Sequence, residues 1–151
     1  VEVLVVDVHR EGGGLVTELV DADVDAVDVP VAGLGTAVAN ADLVVLEATA
    51  VSPSGFLGVS GSLAAASVAR QHDVPVWVVA GVGRLLPDRM WEPIVARVVP
   101  DDPWDADDEV VSLALVDRVV GPTGPLAVAD ALKRTDCPVA TELFKGDVLG
   151  P

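Results

Sequence analysis

The sequence predicts the α/β class: an open, mainly parallel sheet with helices on both faces. Two observations carry this. Short β-rich runs near residues 2–8, 26–31, 43–49, 75–80 and 117–120 alternate with stretches of helical spacing or turn chemistry. The central runs are also continuously apolar, as strands buried on both faces are. Composition agrees. The chain is 151 residues long and 51% hydrophobic, mostly Val, Ala and Leu, with only 3% aromatic residues. That suits one domain of parallel strands packed against small-residue helices.

Taken in order, residues 1–8 read as a buried strand, ended by Gly12, Gly13 and Gly14; Leu15, Leu19 and Val20 then have the spacing of a short helix. Residues 25–31 are a second strand and 33–41 a brief helix. The stretch from Asp42 to Ala80 gives strand, loop, helix and strand, a crossover that forces its two strands parallel and right-handed. Ligands of such sheets sit at the carboxyl ends of the strands, so the Ser-, Pro- and Gly-rich residues 47–62 are the first place to seek a site. Residues 85–108 carry four prolines and two of the three tryptophans, and read as a long loop with one helical turn at 91–97. The last strand is expected at 117–120, a turn at 122–125, and a helix at 126–134 with Leu126, Ala129, Ala131 and Leu132 inward.

Charge bounds the partners. The formal net charge is −15, and lysine occurs only at Lys133 and Lys145. Such a surface repels nucleic-acid phosphates and anionic lipid, so neither is expected as a partner. The carboxylates are scattered, with one cluster at 101–109, which fits the acidic surface of salt-loving proteins better than a patch for one basic partner. Cys137 is the single cysteine, which fits a reducing cytoplasm and a buried structural thiol. No apolar run reaches the length of a membrane span.

Several motifs carry little. The Gly12–Gly14 turn lacks the later glycine of a dinucleotide fingerprint, and Asp28 lies too near to serve as the ribose acid; Gly33-Leu34-Gly35 fails likewise. No Gly-Lys-Ser/Thr occurs, and His9 and His72 have no ligand-spaced companions, so neither a P-loop, a metal nor a cofactor is expected. Ser60, Gly61 and Ser62 are different. They precede the predicted helix at 63–70, whose first N–H groups and dipole offer either an anion site or ordinary capping. Arg84, just past the next strand, is the nearest cation by topology. Glu47, a carboxylate at the end of a buried strand, must be paired, at the rim, or functional.

These segments resemble the C-terminal α/β domain of the family that joins the α, β and δ subunits of translation initiation factor 2B with the methylthioribose-1-phosphate and ribose-1,5-bisphosphate isomerases. The resemblance runs over residues 1–124. Its carriers are Glu47-Ala48-Thr49, then Gly58-Val59-Ser60-Gly61-Ser62, the helix at 63–70, Val74-Pro75-Val76-Trp77, and Val116-Asp117-Arg118-Val119-Val120. It implies a Rossmann-like sheet, the C-terminal part of a longer architecture, and association as a homodimer or with a related family subunit, with Trp91 or Trp104 near the contact. A small phosphorylated ligand is the small molecule it implies. The isomerases use an Asp with an upstream Cys; here the Asp position falls on Thr49, and the Asn-Lys pair that holds substrate falls on Gly58 and Val59. The Cys position lies before Val1, Cys137 does not match it, and the Glu-Thr-Arg-Pro motif survives only as Asp7-Val8-His9-Arg10. Gly61-Ser62 is what remains of the family's Gly-Thr. The resemblance therefore implies a non-catalytic binding or regulatory domain. The alternative is a divergent sugar-phosphate isomerase in which Glu47 replaces the missing carboxylate, since period two puts Glu47 and Thr49 on one side of a strand.

Overall fold

Three parallel strands form the centre: β3 (Val44–Ser52), β5 (Val76–Ala80) and β7 (Arg118–Gly121). The computed structural model describes residues 1–6 and 12–134. Antiparallel strands flank this centre: β4 (Gly55–Val59), β6 (Asp108–Val111) and β8 (Gly124–Ala127), giving a six-stranded sheet of order β6-β4-β3-β5-β7-β8. A separate two-stranded parallel sheet pairs β1 (Glu2–Val6) with β2 (Asp25–Val29). The helices are α1 (Gly12–Asp21), α2 (Leu34–Ala39), α3 (Ser62–Gln71), α4 (Trp91–Val98) and a short α5 (Val128–Ala131). The α/β class holds, with the sheet parallel at its centre and antiparallel at its flanks.

α3 packs closely because its buried face is small. Ser62, Ala65, Ala66 and Ala69 recur at helical spacing and are all buried. Ala48 and Ala80 lie beneath in the sheet, so helix and strands approach without a large side chain between them. One cluster joins Val51, Phe56, Val78, Val111 and Val119; a second joins Val38 of α2 to Val44, Ala65 and Val76. A third lies around Ala50, Leu57, Leu86 and Trp91, where α4 covers the sheet. After α3 the chain reverses through His72 and Asp73, the latter at φ 56°, a left-handed conformation that Asp tolerates better than most residues.

β3 carries a bulge. Ala48 pairs with Gly58 but Ala50 pairs with Leu57, so Thr49 is one residue extra. The extra residue changes the phase of the strand. Before it, Val44 and Ala48 are buried while Val45 and Glu47 are exposed; after it, Ala50 joins the α4 cluster and Val51 the α3 side.

Three expectations are corrected. The loop at 47–62 is a hairpin, turning at Ser52-Pro53-Ser54-Gly55 with proline second and glycine fourth, as such turns favour. Residues 85–108 hold a full helix, α4, and lead directly into β6 rather than forming a long loop. Leu126 lies in β8, and the helix is confined to Val128–Ala131, although Leu126 and Leu132 still pack on the core. His9, the segment Asp7-Val8-His9-Arg10 and Cys137 lie outside the described residues.

Candidate functional site

Glycine shapes the start of α3. Gly61 is the N-cap at φ 98°, a conformation that a side chain would strain, and it has no side chain with which to cap the helix. The cap comes from elsewhere in the chain. Glu109 on β6 accepts a hydrogen bond from the Leu63 amide at 2.7 Å, the position a capping Ser or Asp would normally serve. A carboxylate there also meets the positive end of the helix dipole. Ser62 is buried against Gly58: a Cβ on Gly58 would lie 2.8 Å from Ser62 Oγ. The Ser60 amide donates to the Asp107 carbonyl at 2.8 Å. Ser60, Gly61 and Ser62 thus do open the helix, but against an acidic strand.

The other expected residues line the end of β3. Thr49 Oγ1 donates to Asp108 Oδ1 at 3.1 Å and lies 3.4 Å from the Leu57 carbonyl. Arg84 Nη1 donates to the Ala48 carbonyl at 2.9 Å and sits 3.5 Å from Glu47 Oε1. The Glu47 side chain is 74% exposed, so this ion pair is a surface one and contributes at most about 1 kcal/mol. Glu47 is therefore at the rim and paired.

The structure brings Glu47 to Arg84 and Thr49 to Asp108, and it brings Glu109 to the α3 terminus. Sequence reasoning missed Asp108 as the partner of Thr49 and Glu109 as the partner of that terminus. It also missed Asp117, whose carboxylate accepts from the Val76 amide at 2.8 Å while its own amide donates back to the Val76 carbonyl, also at 2.8 Å. A cavity of about 430 Å³ lies between the end of α4 and residues 105–108, lined by Arg97, Asp105, Asp107 and Asp108 among others, and none of the expected site residues lines it. Among the described residues no cluster of His, Cys, Asp and Glu could hold a metal, and no helix is long and apolar enough to cross a membrane.

Comparison with solved structures places this arrangement. The eIF2B beta subunit of Chaetomium thermophilum superposes with a TM-score of 0.68 at 22% identity, covering 85% of this chain and 38% of that one. A chain of the tetrameric eIF2B-beta2-delta2 complex of C. thermophilum gives 0.70 at 22% identity, covering 87% and 44%. The eIF-2B delta subunit of A. fulgidus gives 0.63 at 16% identity, covering 78% and 42%. At these identities the likeness is one of fold, and this chain spans less than half the length of each of the three. No curated protein matches it. The model of the Initiation factor 2 subunit family matches residues 1–101, two thirds of the sequence, from β1 through α4. The chain belongs to the initiation factor 2 subunit family.

Proposed function

We propose that this chain is a non-catalytic domain of the family that works by binding, its principal partner being a related family subunit. The observation that carries this reading is the filling of the α3 terminus by Glu109. With Thr49 tied to Asp108, and Arg84 engaged by Glu47 and Ala48, the protein's own groups occupy the positions that an anionic substrate would need. A phosphorylated ligand entering at Ser60, Gly61 and Ser62 must displace the Glu109 carboxylate against a net charge of −15, so its affinity is low. Assembly with a related subunit is supported by the C. thermophilum neighbour, which belongs to a beta–delta complex. Large exposed apolar groups, among them Val82 and Trp104, supply contact area. Trp91 does not, because it begins α4 and is buried against Ala50, Leu57 and Leu86.

The test is a titration with ribose phosphates and nucleoside monophosphates while isomerisation is assayed, alongside sedimentation with a related subunit. No turnover, weak phosphate binding that strengthens in Glu109→Gln, and a co-sedimenting complex are expected. Robust turnover would instead support the divergent isomerase, with Glu47 as its carboxylate. Failure to associate with any related subunit at tens of micromolar, well above a typical specific dissociation constant, would remove the assembly reading.

A further inference from the structure

We propose that the free edge of β6 takes an extended, basic segment of a partner protein, which adds antiparallel to the six-stranded sheet and sets arginine side chains against the carboxylates of residues 101–109. The inference rests on edge geometry and charge and not on assembly with a related subunit, so either can fail alone.

Hydrogen bonding defines the open edge. β6 ends the six-stranded sheet and, among the described residues, pairs with β4 alone. On the β4 side the Asp107 carbonyl accepts from the Ser60 amide at 2.8 Å. Bonding alternates along an antiparallel ladder, so Asp107, Glu109 and Val111 face β4, while the N–H and C=O groups of Asp108 and Val110 turn to the open edge. Such a row of unpaired groups is a template for a further strand. The side chains divide the same way. Glu109 and Val111 lie on the α3 face, and Val110, 39% exposed, lies on the α4 face, where a Cβ on Gly55 would touch both it and Trp91.

The surroundings of this edge carry one sign of charge. Asp101, Asp102, Asp105, Asp107, Asp108 and Glu109 lead into the strand, and residues 98–117 contain no Lys, Arg or His. As a run of sequence this cluster fits a generally acidic surface; the fold sets it along an unpaired edge and beside a cavity. Asp105, Asp107 and Asp108 line that cavity of about 430 Å³, in which Arg97 is the one cation among the lining residues. Trp104, next to Asp105 in the chain, is 79% exposed. An aromatic face beside carboxylates suits a guanidinium, which stacks on the ring and bonds a carboxylate through two N–H groups.

Symmetry and register narrow the occupant. A second copy docking β6 on β6 about a two-fold axis would set the Asp108 and Glu109 pair against its own counterpart, and like charges opposite one another destabilise a strand pair. A basic segment is attracted instead. In an antiparallel addition the residue opposite Val110 comes first and the residue opposite Asp108 two positions later, both on the α4 face. The first position calls for an aliphatic side chain and the second for arginine. A further arginine two positions on passes Asp105 and Trp104. The fitting pattern is therefore one aliphatic residue followed by two arginines at alternate positions.

The probe is the peptide acetyl-Thr-Val-Thr-Arg-Thr-Arg-Thr-amide, titrated into the 151-residue chain and followed by calorimetry and hydrogen exchange. Bound peptide should slow exchange of the Asp108 and Val110 amides. The same peptide methylated on its Val and first Arg amide nitrogens keeps its charge but cannot extend the ladder, and should leave both amides unprotected. Asp105→Asn with Asp107→Asn should weaken binding about fivefold or more, whereas Asp25→Asn with Asp28→Asn, an equal loss of charge on β2 in the other sheet, should leave it nearly unchanged. Equal binding of the methylated peptide, or equal weakening by the two pairs of substitutions, would reduce the attraction to net charge and end the proposal. Exchange at Asp108 and Val110 that stays rapid at saturating peptide would end it too. Protection there that rises with chain concentration and without peptide would assign the edge to a second copy, which also overturns it.

Discussion

Glu109 is the residue on which the reading of the site turns. Its bond to the Leu63 amide replaces the cap that Gly61 lacks, so Glu109→Ala should cost about 1 kcal/mol in urea denaturation, with Glu109→Gln losing less because an amide oxygen can still accept. A larger loss for Gln than for Ala would show that the carboxylate does something other than cap. Asp117 should matter more, since Asp117→Ala strips the partner from the Val76 amide of a central strand, an expected loss of about 1–3 kcal/mol in the same assay. Neither role was legible beforehand. Leu63 and Glu109 are 46 residues apart, and a carboxylate in a cluster of carboxylates reads as solvated surface until the fold sets it against a helix end. Arg84 and Glu47 were each legible as lying just past or at the end of a predicted strand, which period and topology locate, but their pairing with one another was not.

Among the elements, the central strands and α3 could be read from sequence because burial on both faces leaves an unbroken apolar run, and the Ala65, Ala66 and Ala69 stripe keeps helical period. β4 and β6 could not. Gly58 and the pair Asp108 and Glu109 interrupt the apolar pattern, and each interruption has a tertiary cause: Gly58 makes room for Ser62, while the two carboxylates face Thr49 and the α3 terminus. Gly58→Ala should therefore destabilise by about 1–3 kcal/mol, because its Cβ would meet Ser62 Oγ at 2.8 Å and the Phe56 ring at 2.9 Å. Thermal unfolding of the double variant Gly58→Ala, Ser62→Gly should recover part of that loss if the Ser62 contact is its source. No recovery would place the strain at Phe56.

For the molecule as a whole, charge sets the response to salt. A net charge of −15 on a 15.4 kDa chain repels itself in the compact state. Screening shortens the reach of that repulsion to about 10 Å at 0.1 M and about 3 Å at 1 M salt, so the unfolding midpoint should climb from low to molar KCl. A midpoint that stays flat or falls would remove the reading of the surface as adapted to salt.

The single extra residue at Thr49 has a further consequence, one of counting. β3 serves the α3 side and the α4 side in turn, and the extra residue reverses the count, so that Ala48 and Ala50, two positions apart, face opposite sides. Thr49 is exposed and its side chain makes two polar contacts, so most substitutions there should be mild. Removing it should be tolerated as well. Deletion would place Ala50 directly after Ala48, and since the two already face opposite sides, uninterrupted alternation would keep Ala50 on the α4 side and Val51 on the α3 side. The protein should thus tolerate the loss of this position as it tolerates a small side chain there, a parity rule that expression of Thr49→Ala beside the one-residue deletion would check directly.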